Sequence, residues 1–143
     1  MAVDSTNSLK TNDSEIESDA TLSPDRGWHQ MDVKWLITGE NMGSKKTVVG
    51  RTHFPPGSKH DLHRHPNAEE WEYVISGEGI KTVGDEEFVM RAGDLCFCPQ
   101  NVYHALRNDS DELLVSIWGY CGASSLEDAG YEIPADELSA DAS

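Results

Sequence analysis

From residue 33 to residue 120 the chain reads as short apolar or alternating runs parted by turn residues. The runs are VKWLITG, KTVVGRTHF, EWEYVISG, GIKTV, EFVMRAG, LCFCP, VYHAL and LLVSIWGY. They are rich in Val, Ile, Trp, Tyr and Phe, which suit pleated, half-buried strands. Turn chemistry separates them at Pro55-Pro56-Gly57, Ser76-Gly77-Glu78-Gly79, Gly84-Asp85, Arg91-Ala92-Gly93-Asp94 and Asn108-Asp109-Ser110. Helical periodicity is nowhere sustained over a dozen residues, and only 124–130 could make a single helical turn. About eight or nine short strands without an internal repeat predict one all-β sandwich or small barrel.

Charge divides the chain differently. The formal net charge is −15, which argues against nucleic acid as a partner, because phosphate backbones need basic patches. Residues 1–25 hold six acids and one lysine, and residues 122–143 hold six acids and no base. Taking these from the 26 acids and 11 bases of the whole leaves 14 and 10, a net of −4 for residues 26–121. That middle is an ordinary globular domain. The flanks are poor in large apolar residues, and the expectation is that the acidic arm over 1–25 and the acidic tail over 122–143 are disordered or loosely docked. The start, MAVDSTNSLK, does not read as a secretory signal, and no apolar run reaches the ~20 residues of a membrane span. Three cysteines, an odd number, give no disulfide framework, so a cytoplasmic protein is expected.

One stretch stands apart. HDLHRHPNAEEWEYVISG, residues 60–77, holds three of the chain's six histidines. His63 and His65 stand at i and i+2, so on a strand they share a face. Two imidazoles aimed into a barrel need partners, and a metal ion is the economical common one. A glutamate just after Pro66-Asn67, either Glu69 or Glu70, is the next candidate, and His104 in VYHAL a fourth. Three imidazoles and one carboxylate suit a divalent first-row ion, and six-coordination leaves two positions open.

These residues resemble those of the cupins, small β-barrel proteins with the motifs G-x5-H-x-H-x3or4-E-x6-G and G-x5-P-x-G-x2-H-x3-N. The first motif reads Gly57, His63, His65, Glu70 and Gly77; the second reads Gly93, Pro99, Asn101, His104 and Asn108. Every spacing is met, and the one departure is Asn101 for glycine, which tolerates the left-handed conformation better than most residues. The resemblance implies a single-domain cupin of double-stranded β-helix (jelly-roll) form, with His63, His65, Glu70 and His104 as metal ligands. Gly77 selects Glu70 over Glu69, since seven residues separate Glu69 from it where the pattern has six. The resemblance further implies Mn(II) or Fe(II), with Ni(II), Co(II) or Zn(II) as other occupants.

Open positions on such an ion favour a small substrate that chelates through adjacent oxygens: a keto acid, enediol, diketone or dicarboxylate. A dioxygenase or related oxidoreductase is therefore expected. A non-redox lyase, isomerase or cyclase and a non-catalytic small-molecule-binding cupin are the alternatives. Strand alternation from Glu70 turns Glu72 inward, where it could exchange a proton. Arg51 shares a strand face with His53; if that face is interior, Arg51 could grip a substrate carboxylate. His60 reads as a lid or surface residue, and His29 has no assigned role. Cys96 and Cys98 read as small buried side chains, and Trp28, Trp35, Trp71 and Trp118 as filling of the barrel and its interface. An open sheet edge invites a homodimer.

Overall fold

The computed structural model describes residues 9–141. Ten strands lie among them: β1 (Trp28–His29), β2 (Asp32–Ile37), β3 (Thr47–Phe54), β4 (Lys59–His63), β5 (Glu69–Ser76), β6 (Glu78–Val83), β7 (Glu86–Arg91), β8 (Leu95–Cys98), β9 (His104–Arg107) and β10 (Leu114–Cys121). Short helices α1 (Gly39–Met42), α2 (Leu126–Ala129) and α3 (Pro134–Asp141) complete the list with two 3-10 turns, Asp13–Glu15 and Pro24–Arg26. Each of the eight apolar runs contains a strand. The pattern does not announce β1, which is two residues long, or β4, whose five residues are polar except Leu62. The helical turn expected near 124–130 is α2.

The strands form two five-stranded antiparallel sheets, ordered β1-β4-β9-β6-β7 and β2-β3-β10-β5-β8. The inward faces meet in two apolar clusters. One gathers Trp28, Val33, Val48, Ala68, Trp118 and Tyr120; the other gathers Phe54, Val74, Met90, Cys96, Cys98, Leu106 and Leu114. Alternation holds along β5, where Glu70, Glu72 and Val74 are buried while Tyr73 and Ile75 are exposed. Close packing fixes glycine at Gly50, where a Cβ would stand 2.2 Å from the Trp118 ring. Asn101 takes a left-handed φ of 64°, the conformation the motif's usual glycine would supply. Trp28 and Trp118 are core residues, whereas Trp71 faces outward and lies across Gly119.

Within the described residues both acidic flanks lie against the barrel; positions 1–8 and 142–143 lie outside them. The arm is laid along β2 and β3. The Asp19 amide donates to the Val33 carbonyl at 2.8 Å, and Trp35 Nε1 donates to Asp19 Oδ2 at 2.8 Å. Asp13 accepts from Arg51 Nε at 2.7 Å and from Lys34 Nζ at 2.9 Å. The tail turns back through α2 to form the bridge Arg64↔Glu132, and Arg26 forms a two-pronged bond with Asp136 at 2.8 and 2.9 Å. Composition alone marked these segments as solvated; what holds them is their acids meeting bases of the barrel.

The Asp13 contact carries a pH signature. The hydrogen bond from Arg51 holds the Asp13 carboxyl at about 2, below its ordinary 3.8. A carboxylate depressed on folding stabilises fully above its unfolded pKa and loses that contribution as pH falls through the folded value. Asp13→Asn should therefore lower stability at pH 7, by about 1 kcal/mol because solvent screens this pair; the Asp13 side chain is 45% exposed. Thermal melts of both proteins from pH 7 down to pH 2 check this: the gap should close between about 4 and 2. A gap independent of pH would mean that the Asp13–Arg51 charge pair contributes nothing.

Candidate metal centre

Sheet register assembles the site. His63, the last residue of β4, has His104 of β9 as its Cα partner, which sets the two rings 4.2 Å apart between centroids. His65 lies beyond the strand end, next to the Arg64↔Glu132 bridge, with its ring 5.2 Å from His63 and 5.3 Å from His104. Glu70 arrives from β5 of the other sheet. One donor atom from each of the four lies within 4.8 Å of the rest, and all four residues are buried. Glu69 is exposed on the outer face of β5.

The hydrogen bonds of the three rings fix their tautomers. His63 Nδ1 bonds the Asp61 carbonyl at 2.7 Å, His65 Nδ1 the Gly130 carbonyl at 2.7 Å, and His104 Nδ1 the Val102 carbonyl at 3.1 Å. A carbonyl only accepts, so each Nδ1 carries a proton and each Nε2 is the nitrogen left to face the centre. Burial, reinforced by neighbouring His60, holds His63 well below the ordinary histidine pKa, which keeps that ring neutral. His65 Nε2 and His104 Nε2 are buried without a hydrogen-bond partner. Glu70 oxygens stand 3.2 and 3.3 Å from them. Buried acceptors left this way are costly, and a divalent cation among them would satisfy every one. The donor set fits such an ion.

A second polar layer lies one inward step along β5. Glu72 accepts from Lys81 Nζ at 2.7 Å through one oxygen and from Ser116 Oγ at 2.7 Å through the other. All three are buried. Burial disfavours the Lys81 ammonium, yet the Glu72 carboxylate prevails and holds its pKa well above the ordinary lysine value. The sequence reading found Glu72 but not Lys81. The available signal was the alternation of GIKTV, which turns Gly79, Lys81 and Val83 to the interior together.

Between the layers is a cavity of about 20 Å³, lined by residues that include His63, Glu70, His104, Glu72, Lys81, Phe54, Trp118 and Tyr120. That is room for about one water. Trp28, His60 and Tyr131 stack on one another beside it. His60 is a cavity-wall residue, not a surface one: its ring stacks 3.6 Å from His63 and 3.9 Å from Trp28. Its Nε2 meets the Tyr131 hydroxyl at 2.9 Å. His29 binds Asp61 at 2.6 Å, away from the cavity.

Arg51 is not brought to the cavity. On β3 its neighbours Thr52 and Phe54 line the interior, so alternation turns Arg51 to the other face, where Asp13 and the Asp32 carbonyl hold its guanidinium. The face was undetermined in the sequence, and the arm that buries Arg51 was read as solvated. Cys96 and Cys98 are buried opposite Glu72 and Glu70 on β5. The hydrogen bond to Cys96 and burial push the Cys98 thiol up, so it stays protonated and outside the donor set.

An antiparallel β-sandwich holding a buried three-histidine, one-glutamate donor set is the architecture of a metal-binding cupin. The cupin domain model matches residues 50–120. An oxalate-binding protein of Thermotoga maritima is 30% identical over 95 residues, 66% of this chain and 78% of that protein. The chain belongs to the cupin family. A crystal structure from Thermotoga maritima, described as a predicted oxalate decarboxylase, superposes with a TM-score of 0.71 at 27% identity, covering 80% of this chain and 99% of that one. Oxalate decarboxylase OxdC of Bacillus subtilis is 40% identical over 87 residues, 57% of this chain but only 23% of that protein. A solved structure of the same decarboxylase, described by its Mn(II) centres, gives a TM-score of 0.67 at 25% identity over 90% of this chain and 34% of that one.

Proposed function

We propose that this chain binds one Mn(II) through His63, His65, Glu70 and His104 and acts on oxalate or a similarly short oxygen-chelating acid. The observation that carries the reading is the set of Nδ1–carbonyl bonds that leaves the Nε2 atoms to converge with Glu70. Manganese is favoured over Fe(II), Ni(II), Co(II) or Zn(II), all of which accept such donors, by the Mn(II) centres described for the Bacillus subtilis decarboxylase. A bound ion would polarise the oxygens of a chelated acid. Phe54, Leu106, Trp118 and Glu72 line the cavity beside it, and the proton exchanged with the substrate is assigned to Glu72. Decarboxylation, named for relatives of which this chain spans about a quarter, displaces dioxygenation as the favoured reaction. Oxalate binding without turnover is the second reading, favoured by the Thermotoga maritima oxalate-binding protein, of which the chain spans 78%.

Two further readings concern the chain's surroundings. Tyr73 and Ile75 of β5 and Leu95 and Phe97 of edge strand β8 are exposed on one outer sheet face. That apolar face supports a homodimer. All three cysteines are free, which supports the cytoplasmic placement. No helix among the described residues is long and apolar enough to cross a membrane.

Metal analysis on purified variants tests the donor set. His63→Ala, His65→Ala, His104→Ala and Glu70→Ala should each lose most bound manganese, whereas Glu69→Ala should keep it. Retention in Glu70→Ala with loss in Glu69→Ala would show the wrong carboxylate was chosen. Oxalate incubated with Mn(II)-loaded protein should yield formate and carbon dioxide; tight binding with no product would establish the second reading. Given turnover, Glu72→Gln should keep its metal and slow the reaction by roughly 10²–10⁴-fold, the usual scale for a proton-transfer group. Sedimentation should give the mass of two chains, and Phe97→Asp should give one. A monomeric parent would leave the apolar face without this role.

A further inference from the structure

The layer below the metal donors makes no use of most of its hydrogen-bonding capacity. An ammonium has three N–H donors, and the one hydrogen bond Lys81 makes among the described residues is to Glu72 at 2.7 Å. Lys81 is 1% exposed, so its other two N–H groups face the interior. Tyr120 is 2% exposed, and its hydroxyl likewise has no hydrogen-bond partner among the described residues. Burial keeps that phenol protonated. Both side chains line the cavity that also holds His63, Glu70 and His104. Glu72, the one further carboxylate there, has its two oxygens taken by Lys81 and Ser116. Opposite the metal donors, the wall therefore offers N–H and O–H groups and few free acceptors. Such a wall receives an acceptor-rich group, and an oxyanion is the strongest acceptor.

Spacing sets the length of what fits. Glu70 and Glu72 are inward neighbours on β5, about 7 Å apart along the strand. A two- or three-carbon acid chelated beside Glu70 presents its far oxygens about one hydrogen bond short of that step. We propose that Lys81, held by Glu72 and assisted by Tyr120, is the specificity-determining anchor for the far oxyanion of a short carboxylic acid chelated at the His63–His65–Glu70–His104 centre. This rests on the metal reading above and names the group that selects the ligand. A chelator without a far oxyanion would leave Lys81 with its donors unmet; the lining side chains must part to admit even a two-carbon acid to a cavity of about 20 Å³, and a longer acid would collide with Phe54 and Leu106.

Removing Lys81 alone would leave Glu72 buried and unpaired, which can prevent folding. The test therefore replaces the pair, Lys81→Met with Glu72→Leu, which leaves net charge unchanged and fills similar volume. Calorimetry on the wild type and this double variant measures Mn(II) binding, then binding of oxalate and of azide to the Mn(II)-loaded proteins. Azide reaches the ion without a far oxyanion. Oxalate should weaken about 10- to 100-fold, the scale of lost charge-assisted hydrogen bonds, while Mn(II) and azide stay within about threefold. Loss of Glu72 removes a negative charge, which by itself would tighten oxalate, so weakening reports the missing Lys81. Oxalate binding within about threefold of wild type overturns the proposal. Parallel loss of oxalate and azide also overturns it, because Lys81 would then act on the site as a whole. Failure of the wild type to bind Mn(II) overturns the metal reading instead, a separate outcome.

Discussion

The arrangement everything else serves is the burial of imidazole nitrogens with no hydrogen-bond partner to meet them. Leaving one buried polar atom unsatisfied costs about 1–3 kcal/mol, and His65 Nε2 and His104 Nε2 are both in that state. A side chain free to rotate would turn such an atom toward water or a backbone N–H. Here each ring is tethered at its other nitrogen to a carbonyl of Asp61, Gly130 or Val102. Those carbonyls belong to the first sheet, the turn into β9 and the C-terminal segment. Donor geometry is thus a property of the whole sandwich, imposed through three separate backbone contacts.

The Glu72–Lys81–Ser116 layer shows a different balance. An ion pair buried this deeply seldom stabilises a fold relative to well-packed apolar residues, because desolvation cancels the attraction. Val74, the next inward residue on β5, shows that the strand can carry an apolar side chain there. A charged pair retained immediately below a set of metal donors is therefore poorly explained by stability. It is better explained by the electrostatic character it gives the cavity floor, where donors outnumber acceptors.

Much of this was legible in the chain. Alternating runs gave eight of the strands, because half-buried strands of an antiparallel sandwich leave a period-two trace. The donor residues were legible because their spacing is tied to two turns, and Glu70 was separable from Glu69 by its distance from Gly77. Facing was not legible where a strand is buried on both sides. β3 has Thr52 and Phe54 inward, yet Arg51 is also buried, 4% exposed, under the arm. Period two then loses its contrast, and nothing local says which face meets the cavity. Lys81 escaped for a related reason: its partner Glu72 is nine residues away on a strand of the facing sheet, and a lone lysine in a strand reads as solvated.

Composition counts the charges of the acidic flanks without their partners. Of the ten bases in 26–121, Arg26, Lys34, Arg51 and Arg64 are bound by acids from the flanks: Asp136, Asp13 and Glu132. The barrel is thus electrostatically completed by its ends, and the C-terminal end also enters the metal centre. Gly130 holds His65 Nδ1, and Tyr131 packs 5.2 Å from the His63 ring and binds His60. An ion that fixes the Nε2 side of His65 fixes the partner of Gly130 on the other side. Occupancy of the centre and docking of residues 130–132 are therefore coupled, and by reciprocity each strengthens the other. The acids that hold the segment down, Glu132 on Arg64 and Asp136 on Arg26, set how firmly His65 is aimed, though neither touches the donor set.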